Sequence, residues 1–350
     1  MRDRTQRLAQ VKRVPVDLGR AYIACMGPAL LFHWFLGDAS ALFFAANSLA
    51  LYFFVPLPLL LGVALWSRRR ELWIGAIVLC VAWLWHWGDL WSPSRLKPPD
   101  NREAFIRSDL RVATYNLLGF NRATESTIRE LRLAQADLVS LQELNPEMAA
   151  AIERELSADF PYRRLDPREG VYGGGVLSRW PLEKVETNLE RIDGWLGTPI
   201  VSRVNNAERS LYFVQFHTAS GPARYKARER QAEALRDFAR NADLPVVAAG
   251  DFNATDMSNA YAIVRETLAD SWAEVGYGFG HTFPGEPGAE VGGSRPDIAG
   301  IQVPKWLIRI DFIFHSPQLV AQSAKTIHSF GGSDHRMLVA EFGWQALPGK

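Results

Sequence analysis

Hydrophobic positions obey two different rules along this chain. In the first hundred residues they run together in three blocks, 21–36, 41–66 and 72–84, the last continuing through Trp85 and Trp87. The second block holds 26 residues without a charge, more than the roughly 20 apolar residues a helix needs to cross a bilayer core. The third spans if it extends to Leu90. The first, interrupted by Pro28 and His33, is the weakest. Few soluble helices are apolar all round for so long. The pattern therefore predicts a membrane anchor of two or three transmembrane helices over residues 1–91, rather than a cleaved leader, whose apolar part is shorter. A Ser- and Pro-containing stretch, 92–108, reads as a linker.

Beyond it the period shortens. Residues 111–118 (RVATYNLL), 137–144 (DLVSLQEL), 173–182, 211–218, 245–249, 309–314 and 337–342 read as strands, and 127–136 and 226–240 as helices. Asn145-Pro146 reads as an N-cap with proline at the first helical position. Met148, Ile152 and Leu156 follow on one helical face. Strands interleaved with amphipathic helices predict a layered α/β domain over residues 109–345.

Charge adds an orientation and an exclusion. The chain carries 39 Lys+Arg against 38 Asp+Glu, but residues 1–100 hold 11 and 6 of them, leaving 28 and 32 beyond. A mildly acidic soluble part gives no support for a non-specific duplex binder. Arg2, Arg4, Arg7, Lys12, Arg13 and Arg20 precede the first block, and Arg68, Arg69 and Arg70 lie between the second and third. Basic flanks stay in the cytoplasm, so three spans of the plasma (inner) membrane place the domain outside the cytoplasm, and two would leave it inside. Cys25 and Cys80 both lie in apolar blocks, which predicts neither a disulfide framework nor a thiolate zinc site.

The candidate chemistry sits at strand ends. Asn116 lies in the first strand, Glu143 closes the second, His217 closes LYFVQFHT, and Asp251 and Asn253 follow PVVAAG. Asp311 interrupts the apolar RIDFIF, and Asp334 and His335 precede MLVAEF. Taken singly, each has an ordinary reading as a cap, a turn residue or a satisfied imidazole. Asp311 is the hardest to place that way, because an acid in an apolar strand is costly to bury unpaired. His335 is its candidate partner.

In order, TYN, LQE, GGGVLSRWP, QFHT, GDFNA, HTFP, RIDFIF and SDHRM resemble the motifs of the endonuclease/exonuclease/phosphatase superfamily, of the pancreatic-deoxyribonuclease-like, membrane-anchored bacterial type. The resemblance runs from about residue 110 to 342. It implies a four-layer α/β sandwich, two packed β-sheets flanked by helices, here preceded by transmembrane helices. It also implies Mg²⁺- or Mn²⁺-dependent hydrolysis of a phosphate ester. By resemblance, Glu143 is the main metal ligand, with Asn116 and Asp334 beside it. Asp251 orients or deprotonates the attacking water, and Asn253 holds a phosphate oxygen. Asp311 fixes the tautomer of His335, which faces the phosphate as base or cation. His217 contacts the phosphate or helps the leaving group. Leu118 stands where some members carry an acid, so neither that ligand nor a second metal follows. The expected substrate is a phosphodiester, in a nucleic acid or elsewhere. The alternatives are a lipid-headgroup phosphatase or sphingomyelinase-type phospholipase, and an inactive binding protein on this fold. No protein partner is implied.

Overall fold

The computed structural model describes residues 2–96, 110–206, 209–287, 295, 297–298, 300–327 and 331–345, with side chains from residue 13 onward. Most of the predicted linker lies outside the described residues. The chain divides into two compact units, Met1–Trp91 and Ser92–Lys350.

The first unit contains α1 (Arg2–Leu36), α2 (Ala41–Ser48), α3 (Leu57–Ser67) and α4 (Arg70–Trp87). Two helical stretches, Ala50–Ser67 and Arg70–Leu96, are long and apolar enough to cross a membrane. The single span expected over residues 41–66 is broken. Its first part, α2, pairs instead with α1 across a bend of 116°. The cause is polar. Asn47 Nδ2 donates to Gly37 O at 3.0 Å and Asp38 Oδ1 at 2.8 Å, while its Oδ1 lies 3.0 Å from His33 Nδ1. Folding α2 back satisfies these groups where apolar surroundings would leave them unpaired. Pro56, at the entry to α3, has no N–H with which to carry a helix through. The outward surface is apolar, with Phe35 80% and Trp85 75% exposed.

The second unit holds β1 (Leu110–Asn116), β2 (Leu138–Gln142), β3 (Tyr162–Asp166), β4 (Gly174–Ser178), β5 (Leu182–Lys184), β6 (Ile200–Asn205) and β7 (Ser210–His217). After these come β8 (Val246–Asp251), β9 (Ala269–Asp270), β10 (Asp297–Ile298), β11 (Ile301–Gln302), β12 (Asp311–His315), β13 (Leu319–Ile327) and β14 (Met337–Trp344). The helices are α5 (Thr124–Ala134), α6 (Pro146–Glu155), α7 (Tyr225–Asn241), α8 (Asn259–Arg265) and α9 (Ser271–Val275). One sheet has the order β13-β14-β1-β2-β4-β3 and the other β5-β6-β7-β8-β12-β9, with β10 and β11 a separate ribbon. Both sheets are mixed, with β1–β2 and β7–β8 parallel. The architecture is the expected sandwich of two sheets with flanking helices. Sequence patterning missed β3, β5, β6, β13, the two-residue strands β9, β10 and β11, and the short α8 and α9. The helix predicted at 127–136 begins earlier, at Thr124.

Strand alternation divides the core. Ala113, Tyr115 and Leu117 of the first strand region pack with Val139 and Leu141 of β2 against Ile128 and Leu131 of α5 and Met148 and Ile152 of α6. The opposite face carries Thr114, Asn116, Ser140 and Gln142, all buried. That face meets the other sheet through hydrogen bonds, Ser140 Oγ to Ala249 O (2.6 Å) and Gln215 Nε2 to Leu141 O (3.1 Å). Within the seam Gln142 Nε2 donates to Ser140 Oγ at 2.7 Å. Paired in this way, the buried polar groups avoid the desolvation penalty and fix the register of sheet on sheet.

Candidate active site

The site lies where this seam reaches the strand ends. On β7 and β8 His217 stands opposite Asp251, and on β8 and β12 Asp251 stands opposite Asp311. In-register neighbours share a face of the sheet, so three residues far apart in sequence form one row. From the facing sheet, Asn116 ends β1 and Glu143 follows β2.

Each side chain is held. Glu143 has φ +56°, a left-handed conformation that side chains adopt only when surroundings enforce it. Its Oε2 accepts from Gly119 N at 2.8 Å and its Oε1 from Asn116 Nδ2 at 3.1 Å. A Cβ on Gly119 would lie 2.0 Å from Gly170 O, so only glycine brings that amide to Glu143. The same Asn116 nitrogen lies 3.0 Å from Asp251 Oδ2, while Asn116 Oδ1 accepts from Leu118 N at 3.0 Å. As placed, Asn116 bridges the two carboxylates through its nitrogen rather than offering its oxygen. Asn253 is also left-handed, φ +47°. Its N–H donates to Asp251 Oδ1 (2.8 Å) and its Nδ2 to Thr218 O (3.1 Å).

His335 Nδ1 lies 2.9 Å from Asp311 Oδ2, and its Nε2 lies 3.8 Å from Asp251 Oδ2. The ring packs on Phe283 with centroids 4.8 Å apart. His217 Nε2 approaches Asp251 Oδ2 at 3.4 Å. Among the described residues, His217 Nδ1 and Asp311 Oδ1 are buried without a hydrogen-bond partner. The structure thus gathers Asn116, Glu143, His217, Asp251, Asn253, Asp311 and His335, with Asp334 next along the chain. Among the described residues, the acids and imidazole whose ligand atoms fall within 4.8 Å of one another are Asp251, Asp311 and His335. The hydrogen bond between Asp311 and His335 already occupies part of that group.

Electrostatics separates the roles. Burial works to raise the Asp251 pKa, but the hydrogen bond from His217, the charges of His335 and His217, and the Asn253 N–H outweigh it and hold it at about 2. Burial works to lower His335, but the charge and hydrogen bond of Asp311, with Asp251 and Asp334, push it up to about 10. Burial also raises Asp311 against the pull of His335. Asp334 is raised by burial, and the negative charges of Glu143 and Asp251 add to the rise. Oxygen-only donors whose buried charges repel one another fit a hard divalent cation.

Several supporting residues carried no sequence signal. Ser333 Oγ donates to Asn116 O (2.6 Å) and accepts from His335 N (3.0 Å), tying the imidazole's loop to β1. Thr282 Oγ1 accepts from Ile310 N at 3.2 Å. Buried Arg228 donates to Ala219 O and Gly221 O, and Gln231 Oε1 accepts from Ala219 N, together pinning the turn after His217. A lone hydroxyl in a loop leaves no periodic trace, and Arg228 and Gln231 lie three apart on α7 with nothing local to mark their partners.

Buried carboxylates and a carboxylate-paired imidazole, gathered where two sheets meet, define a metal-dependent phosphoric ester hydrolase. The model of the Endonuclease/Exonuclease/phosphatase family matches residues 113–335, and the chain belongs to that family. Zebrafish (D. rerio) TDP2 complexed with single-strand DNA product has a similar fold, with TM-score 0.53, 18% identity, and coverage of 67% of this chain and 98% of that one. The endonuclease/exonuclease/phosphatase of Bacteroides vulgatus gives 0.51, 19%, 67% and 99%, and truncated Caenorhabditis elegans TDP2 gives 0.53, 17%, 67% and 97%. No curated protein matches this chain.

Proposed function

We propose that this protein is a membrane-anchored, divalent-metal-dependent phosphodiesterase or nuclease that hydrolyses a phosphodiester by in-line attack of water. The observation that carries the reading is the convergence of His217, Asp251, Asp311 and His335 beside Glu143. Asp251, anionic at neutral pH, orients the attacking water by accepting its proton in a hydrogen bond; so weak a base is suited to positioning. Asn253 holds a non-bridging phosphate oxygen. His335, kept cationic by Asp311, sets a fixed positive charge where negative charge develops at phosphorus. His217 stands on the other side of Asp251, suited to the leaving group. Glu143 and Asp334, with Asn116 fixing Glu143, would hold Mg²⁺ or Mn²⁺, which when bound offsets charge on the phosphoryl group.

Charge placement supports an extracytoplasmic catalytic unit in a multi-pass plasma (inner) membrane protein. Both basic clusters, in the N-terminal half of α1 and at residues 68–70, reach the cytoplasm together only if the bent α1–α2 pair also crosses. The DNA product bound to the zebrafish structure favours a phosphodiester in a nucleic acid over a lipid headgroup. The test is a Mg²⁺- and Mn²⁺-dependent screen of the full chain in detergent against DNA, RNA, sphingomyelin and phosphoinositides. Cleavage of DNA or RNA supports the reading, and turnover confined to lipids would replace it.

A further inference from the structure

A buried cation outside the row above ties two parts of the site together. Arg309, 3% exposed, precedes β12 by two residues. Its NH2 lies 3.2 Å from Asp256 Oδ2 and its NH1 2.8 Å from Asp270 Oδ2. Its guanidinium stacks 4.3 Å from the Phe312 ring. Asp270 is fully buried, and its Oδ1 accepts from Trp272 N (2.9 Å) while Tyr261 OH donates to its Oδ2 (3.0 Å). Asp270 is therefore committed to local structure. Asp256 is different: its side chain is 29% exposed, and it lies three residues after Asn253, in the loop that leaves β8. That loop starts with Asn253 in its left-handed conformation and ends at Ser258, whose Oγ caps α8 by accepting from Tyr261 N (3.1 Å). The loop's near end is fixed by the hydrogen bond between Phe252 N and Ile310 O, 2.7 Å.

We infer that Arg309 and Asp256 are positioning residues: their mostly buried ion pair, with Asp270 on the guanidinium's other nitrogen, clamps the 253–258 loop to the strand that carries Asp311, and so holds Asn253 where it meets the phosphate. This rests on the role given to Asn253 above. A guanidinium spans two carboxylates in a way an ammonium cannot. The left-handed turn at Asn253 is fixed on one side by the Phe252–Ile310 hydrogen bond and on the other by the Asp256–Arg309 pair.

The test uses the full chain in detergent, with bis(p-nitrophenyl) phosphate and Mn²⁺ as the probe. Asp256→Asn, at a partly exposed position, and Arg309→Lys, which keeps the charge, are compared with wild type for kcat, KM and thermal midpoint. The expected result is a kcat lowered about 10- to 100-fold in both, as for a small misplacement of a positioned group, with KM for this small probe and the midpoint of Asp256→Asn essentially unchanged. Wild-type kcat in either variant, or losses that only follow the unfolded fraction, would overturn the inference. A wild-type protein with no hydrolysis under any metal would instead overturn the reading beneath it.

Discussion

At neutral pH Asp251 is an anion and His335 a cation, 3.8 Å apart at their nearest polar atoms. Each charge helps to maintain the other, with His217 and Asp311 adding to the effect. Glu143→Gln removes an anionic oxygen donor and leaves one amide oxygen to accept from Gly119 N or Asn116 Nδ2 in place of two. It is expected to raise the half-saturating Mn²⁺ concentration by roughly tenfold or more, read by metal titration of activity; an unchanged titration would count against Glu143 as ligand. Away from the site, half-buried Asp137 accepts from Arg111 N at 2.8 Å and pairs with Arg179, yet burial raises its pKa. A raised acid costs stability when ionised, and that cost disappears as pH falls below the unfolded value of about 4. Asp137→Asn should therefore raise the thermal midpoint at pH 7, with the gain closing below about pH 4. A lowered midpoint at pH 7 would contradict it.

At the scale of elements, the site depends on close backbone approaches. A Cβ on Gly173 would lie 1.9 Å from Leu144 O, and Leu144 N donates to Gly173 O at 3.2 Å. Gly173→Ala must push Leu144, and with it Glu143, out of place. Its expected cost is about 1–3 kcal/mol, as for other overpacked positions, accompanied by lost turnover; denaturant melts and kinetics read both, and wild-type values would show that the segment yields freely. The glycine run was legible in sequence as an entry to a strand, which is how β4 uses it. Strands ending in site residues were legible because apolar alternation leads into a polar tip. The edge strand β3, YRRLD, and the long β13, LVAQSAKTI, were not, because one side of each meets solvent and the residues alternate weakly. Asp311 drew attention as an acid in an apolar strand, and the structure sets it against His335. Arg309 was not singled out within the 309–314 strand, since nothing local signals that Asp256 and Asp270 fold around it. The bend before α3 was hidden because composition records how apolar a block is, not where Asn47 finds its partners.

At the scale of the molecule, an apolar unit precedes a hydrolase unit whose own surface is mildly acidic. If the apolar unit is the proposed anchor, its charge asymmetry leads to a definite expectation: a reporter active only outside the cytoplasm, fused after residue 100, is active, and activity solely from a cytoplasm-dependent reporter would mean that the α1–α2 pair does not cross. The central claim is that one cleft, built by two sheets, hydrolyses a phosphodiester through Asp251 and His335. Its most direct test is Mn²⁺-dependent turnover of bis(p-nitrophenyl) phosphate by the full chain and by Asp251→Ala and His335→Ala. Each variant is expected to lose about 10²–10⁴-fold in kcat while keeping the wild-type far-UV spectrum and cooperative melt. Near-wild-type turnover in both folded variants would contradict it.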